Sequence, residues 1–217
     1  HGKPVFLDGI ELQDSLGFLI GDPVDGDFAL YRSQNFGESW EACPGKVNSQ
    51  ANEAAYAASG TTNHIIDGDF VFISGGETTR FIWSEDLGTS WQSVKIPFES
   101  CKTCGAYSLA YKNRKELVAV GGDYTRPNES VNTCFYSLDG GQSWQASKNP
   151  PSGYRSSVIY SKGVYYACGT NGIDYSTDHG QNWLRISTEN GLSMCTDKKY
   201  LYISCMKGKV LKMKLMK

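Results

Sequence analysis

Six charged side chains have the types and local settings that could do chemistry: Asp8, Asp22, Glu53, Asp123, Arg80 and Arg155. Two carboxylates roughly 5 to 9.5 Å apart can cleave a glycosidic bond, one as acid and the other as nucleophile or base. Arginines can instead clamp an anionic or sugar-like ligand through bidentate hydrogen bonds. A third arrangement is structural, with Arg155 paired to Glu53 and the aspartates bonding the backbone of their own turns. Among seven cysteines only Cys101-Lys-Thr-Cys104 has a motif-like spacing. Zinc would need two further ligands at comparable spacing, and a redox C-x-x-C expects a strand before it and a helix after it. Neither context is present, so the pair reads as an ordinary loop with buried thiols, with a local disulfide as the alternative. His1, His64 and His179 stand in unrelated contexts and define no metal site. No phosphate-cradling loop and no dinucleotide fingerprint occurs, so no cofactor is expected.

The elements that must position these groups follow from composition and from repetition. The chain has 217 residues, enough to bury a core without staples. A formal net charge of −2 lacks the basic excess of a nucleic-acid binder. Apolar runs such as Phe70-Val-Phe-Ile73 fall far short of the roughly 18 to 20 residues of a membrane-spanning helix. Twenty-four glycines and 12% aromatics point to many turns and aromatic-rich strands.

One eight-residue pattern, S-x-[DN]-x-G-x-[SN]-W, occurs four times. Its fixed positions are Ser33, Asn35, Gly37 and Trp40; Ser84, Asp86, Gly88 and Trp91; Ser137, Asp139, Gly141 and Trp144; Ser176, Asp178, Gly180 and Trp183. The tryptophans are 51, 53 and 39 residues apart. Ser, Asp and Asn side chains bond a turn's own backbone, and Gly supplies the left-handed conformation. Each box is therefore a self-stapled hairpin turn whose Trp starts the return strand. An apolar strand precedes each box, a Gly-terminated strand lies upstream (ending at Gly21, Gly75, Gly121 and Gly169), and a fourth element stands before that (Phe6–Ile10, Ala54–Ala57, Ala106–Ala110 and Ser157–Tyr160). Four short strands per repeat of ~40 to 50 residues predict an all-β propeller. Its expected divisions are 5–50, 51–100, 101–149, 150–190 and a partial 191–217 within one domain. In that order Asp8, Glu53 and Arg155 flank innermost strands, and Asp22, Arg80 and Asp123 sit at the second-strand turns. The lysines of 207–217 suit a protected edge strand.

The boxes resemble the Asp-box, or BNR, repeat. The ordered strings Gly17-Phe-Leu-Ile-Gly-Asp22-Pro, Glu53-Ala-Ala-Tyr-Ala-Ala-Ser-Gly-Thr61, Gly121-Gly-Asp-Tyr124, Gly153-Tyr-Arg-Ser156 and Cys168-Gly-Thr-Asn-Gly-Ile-Asp-Tyr-Ser176 make the chain similar to bacterial Asp-box propellers of the photosystem II stability/assembly-factor type, sometimes loosely labelled oxidoreductases. Such relatives carry about two further blades upstream. The resemblance thus leaves a five-bladed ring and a part of a six- to seven-bladed ring both open, with residues 1–5 as a possible closing strand.

Two functions remain in view. The resemblance implies a non-enzymatic binding or assembly scaffold for a protein partner, located outside the cytoplasm. The alternative is a glycan-active hydrolase acting on a carbohydrate-like ligand, because sialidases share the Asp-box. Their Arg-Ile-Pro signature is absent, and arginine is scarce, at six residues.

Overall fold

The computed structural model describes residues 4–197 and 199–216. It is all-β apart from a 3₁₀ turn at Met206–Gly208. The first sheet joins β1 (Leu7–Gln13), β2 (Leu16–Val24), β3 (Asp27–Ser33) and β4 (Glu41–Ala42) in chain order. A two-residue ladder pairs β5 (Glu53–Ala54) with β8 (Gly75–Gly76). The second sheet orders β6 (Asn63–Ile66), β7 (Asp69–Ile73), β9 (Arg80–Ser84) and β10 (Gln92–Lys95) from one edge to the other. The third holds β11 (Ala106–Tyr111), β12 (Leu117–Gly121), β13 (Cys134–Ser137) and β14 (Gln145–Ala146), and the fourth holds β15 (Ser157–Ser161), β16 (Val164–Gly169), β17 (Gly172–Ser176) and β18 (Leu184–Ser187). A fifth sheet has three strands, β19 (Ser193–Thr196), β20 (Tyr200–Ser204) and β21 (Val210–Lys214).

This is the expected four-stranded unit, four times over, followed by an incomplete one. One expectation needs correcting. The innermost strand of the second unit is β6, not Ala54–Ala57. Ile65 and Ile66 of β6 are fully buried and hide more apolar surface than the alanines could, while Glu53 draws its own segment onto Gly75–Gly76. Residues 1–3 of the possible closing strand lie outside the described residues, and Pro4 and Val5 belong to no strand.

The core is repetitive. Four apolar clusters sit between successive sheets, the first built on Phe18, Ile20, Phe70 and Phe72 and the last on Tyr166, Ile173, Leu201 and Ile203. Phe18 and Phe70 stack across the first interface at 4.7 Å. On the outer flank of the first sheet Leu7, Ile10 and Leu12 are about half exposed.

All four boxes close their hairpins in one way. The Ser hydroxyl donates to the Asp or Asn oxygen at 2.8–2.9 Å and accepts from the Gly amide at 2.7–3.1 Å. The same Asp or Asn Oδ1 accepts the backbone amide four residues on. Asn35 completes its turn by reversing one bond: its Nδ2 donates to Ser39 Oγ at 2.9 Å, where Asp86 accepts from Ser90. Two successive residues in each box have positive φ, as at His179 (65°) and Gly180 (81°). Trp40, Trp144 and Trp183 donate to the box Gly carbonyl, whereas Trp91 Nε1 has no partner.

Candidate functional site

The loops entering the innermost strands and those joining second to third strands converge at one end of the fold. Three carboxylates there are each held by an arginine. Glu53 Oε1 and Oε2 accept from Arg80 Nε and Nη2 at 2.8 Å each, and also from Ser74 Oγ and the Gln50 amide. Asp123 accepts from Arg126 Nε at 2.7 Å and from the Thr125 amide and hydroxyl at 2.8 and 2.7 Å. Burial opposes its ionisation, but these bonds outweigh it and hold the carboxyl below the ordinary range. Arg126 is itself bound to Glu99 and Glu129.

The third pair corrects an expectation. Arg155 does not meet Glu53; it pairs with Asp174, through Nε at 2.6 Å and through Nη2. Its Nη1 donates to Asn171 Oδ1 and the Tyr154 carbonyl. The reason is geometric, since Asp174 lies on β17 of the same sheet while Glu53 is already fully engaged by Arg80 and Ser74. Arg155 is entirely buried and offers no donor to a ligand.

Asp8 and Asp22 stand apart from these pairs. They lie together at the start of β1 and the end of β2, and no described residue supplies either with a cation. Asp8 is 7% exposed, and its Oδ2 has no hydrogen-bond partner. Its carboxyl is pushed up to about 7 by burial first and by the Asp22 charge second, against backbone bonds from Asp22 and Ala57. Burial also raises Asp22, whose Oδ1 accepts from the Ala55 amide at 3.2 Å.

Four tyrosines complete this mouth, and the sequence reading assigned none of them there. Tyr56 and Tyr107 stack at 4.0 Å with planes 7° apart, and Tyr154 packs edge-on against Tyr107 at 4.9 Å. Tyr107 and Tyr154 are buried, whereas Tyr124 is 52% exposed. The Tyr56 and Tyr107 hydroxyls donate to carbonyls of residues 102–104. That loop is closed by a Cys101–Cys104 disulfide, correcting the free-thiol expectation; the chain reverses tightly enough to bring the two Cα atoms to 5.0 Å. Asp123 lies close to both sulfurs. The only sequence sign of the cluster is a Tyr beside the entry of three successive innermost strands.

The opposite end holds a cavity of about 450 Å³ lined by Glu11, His64, Tyr111, Tyr160 and Thr196, among others. His64 Nε2 donates to the Leu109 carbonyl at 2.8 Å, and Nδ1 lies 2.7 Å from Glu11 Oε2. A carbonyl can only accept, so Nε2 carries the proton of its bond.

Repeated sheets, shared interfaces and four self-stapled turns define an Asp-box β-propeller. More particularly, the chain belongs to the Sortilin-Vps10 family (sortilin, neurotensin receptor 3), whose model matches residues 29–155. No curated protein matches it. Solved structures similar in fold include YCF48 bound to D1 peptide (TM-score 0.66, 14% identity, 97% of this chain and 64% of that one). A GH74 enzyme of Niastella koreensis has TM-score 0.62 and 16% identity over 98% of this chain and 36% of that one. The nidogen/laminin complex gives TM-score 0.65 and 10% identity, over 96% and 76%. The chain thus spans less than two thirds of the YCF48 and GH74 chains.

Proposed function

We propose that this chain is a non-catalytic scaffold that presents the tyrosine-lined mouth to a protein partner. One observation carries the proposal. Glu53, Asp123 and Asp174 are each engaged by an arginine, so none of these three carboxylates is free to serve as acid or nucleophile, and Tyr56, Tyr107 and Tyr154 pack against one another in the same loop cluster. The half-exposed Tyr124 ring suits protein recognition, where rigid aromatics give large contact area at low entropic cost. The structures of YCF48 with a D1 peptide and of the nidogen/laminin complex support this use of the fold. A role outside the cytoplasm goes with this reading, and the Cys101–Cys104 disulfide, a bond that persists in oxidising compartments, supports it.

A glycoside hydrolase is the competing function, and the cavity at the opposite end is its best location. Glu11 is the single carboxylate among the described residues lining that cavity, and it already faces His64, whereas hydrolysis requires two. Two measurements decide. Panning a displayed random-peptide library on the full chain should enrich ligands whose binding weakens in Tyr124→Ala; an unenriched library counts against the scaffold. A screen with aryl glycosides and sialosides should show no turnover, and turnover abolished by Glu11→Gln, Glu53→Gln or Asp123→Asn overturns the proposal.

A further inference from the structure

The electrostatics of the mouth are asymmetric. Its carboxylates Glu53, Asp123 and Asp174 each have an arginine within 2.8 Å. Asp8 and Asp22, on the first sheet, have none among the described residues, although they are close enough to repel each other. An isolated buried carboxyl is costly, and an unpartnered oxygen on it is costlier still. Asp8 has both features: it is more than nine-tenths buried and its Oδ2 is unbonded.

The surroundings narrow what could supply the missing charge. The arginines of the mouth are already committed, Arg80 to Glu53 and Arg126 to three carboxylates. Tyr56 lies close enough to Asp22 to feel its charge. Ala55, whose amide bonds Asp22, and Ala57, whose amide bonds Asp8, flank Tyr56 in sequence. Tyr56 in turn stacks on Tyr107, which meets Tyr124 edge-on at 6.4 Å. Carboxylates beside electron-rich ring faces favour an organic cation, which gains both Coulomb and cation–π attraction. A small inorganic cation would want several oxygen ligands in a closed shell, whereas the Tyr56 and Tyr107 hydroxyls are turned to carbonyls of residues 102–104.

We propose that the Asp8–Asp22 pair, together with Tyr56 and Tyr124, receives a basic side chain, lysine or arginine, from the bound partner. This rests on the scaffold function proposed above and specifies the chemistry of its ligand. The cation enters from Asp22, the less buried of the two acids, and the aromatic edge holds the aliphatic or guanidinium portion of the side chain. It does for Asp8 and Asp22 what Arg80, Arg126 and Arg155 do for Glu53, Asp123 and Asp174.

The test uses the peptides enriched on the full chain. They should share a lysine or arginine, and replacing that residue by norleucine should weaken binding about tenfold or more, as should Asp22→Asn. Asp8→Asn should act in the same direction, with thermal melts confirming that each variant is folded. Tyr124→Ala provides a variant at an exposed position, for which the loss should be smaller for a norleucine peptide than for its lysine parent. Enriched peptides that lack a basic residue, or that bind Asp22→Asn unchanged, overturn this inference and leave the scaffold standing. Failure to enrich any peptide removes both. Calcium or magnesium ions alone, stabilising the wild type but not Asp22→Asn, would show that the site takes a metal and would also overturn it.

Discussion

Asp8→Asn should stabilise this protein, and increasingly so as the pH rises. Burial and the Asp22 charge push the Asp8 carboxyl from 3.8 to about 7 in the folded state. A folded state that holds its proton more tightly than the unfolded state is favoured at low pH. Stability from this group is fully present below pH 3.8 and is lost as the pH rises through about 7. The full loss corresponds to about 4 kcal/mol, since each pKa unit is worth about 1.4 kcal/mol. Asparagine keeps an oxygen for the Asp22 and Ala57 amides but cannot ionise. Near pH 4 the variant and the wild type should therefore differ by less than about 1 kcal/mol, the scale of one altered hydrogen bond. At pH 8.5 the variant should be more stable by up to about 4 kcal/mol, which for a chain of this size is on the order of 10 °C in Tm. Urea unfolding at a series of pH values measures this directly. Asp22→Asn supplies a control, because removing the second charge should make the wild-type slope shallower. A difference between Asp8→Asn and wild type that is flat with pH, or that shrinks as pH rises, would refute the account.

The other expected outcomes concern the frame around the mouth. Asp139→Ala and Asp178→Ala should each cost on the order of 1 kcal/mol or more in chemical unfolding, through lost turn hydrogen bonds, and should leave peptide binding by the folded protein unchanged. Arg155→Ala should cost about 3 to 5 kcal/mol by stranding the buried Asp174, and Arg155→Met with Asp174→Leu should recover most of it; equal instability of the single and double variants would contradict the pairing. Denatured protein from its native compartment should titrate five thiols without reductant and seven with it, and seven in both cases would deny the disulfide and the oxidising compartment together. If a basic side chain binds at Asp8 and Asp22, affinity for the lysine peptide should rise with pH through about 7 as the proton on Asp8 stops competing.

How much of this could be read from the chain depends on how local each interaction is. The Asp-box was legible because its bonds all fall within eight residues. Ser, Asp or Asn, Gly and Trp are each required by one turn, so the demand repeats visibly with every hairpin. The strand plan followed from those turns. It failed at Ala54–Ala57, which stands ahead of the Gly-terminated strand, where the repeat called for its fourth element. The choice of β6 was decided by Ile65 burying against the first sheet and Ile66 against the third, a tertiary preference that local propensity does not carry.

The mouth was only partly legible, for the same physical reason. Charged residues could be assigned to it by strand order, but their partners depend on how loops from different sheets fold over one another. Asp123 finds Arg126 three residues away, yet Arg155 crosses to β17 for Asp174, a residue that reads in sequence as part of an ordinary strand. The tyrosines were hidden differently. Tyr56, Tyr107 and Tyr154 have the composition of strand residues, and their stacking requires three strand entries to meet at one point. The deficit at Asp8 and Asp22 is less local still. No segment contains it, because it consists of an arginine that Glu53, Asp123 and Asp174 have and that, among the described residues, Asp8 and Asp22 lack. It becomes visible only when every mouth carboxylate has been assigned its partner. That sets the priority for experiment: a site defined by a missing charge is best probed by supplying the charge, and the response of Asp22→Asn separates a receptor for a cation from a strained turn.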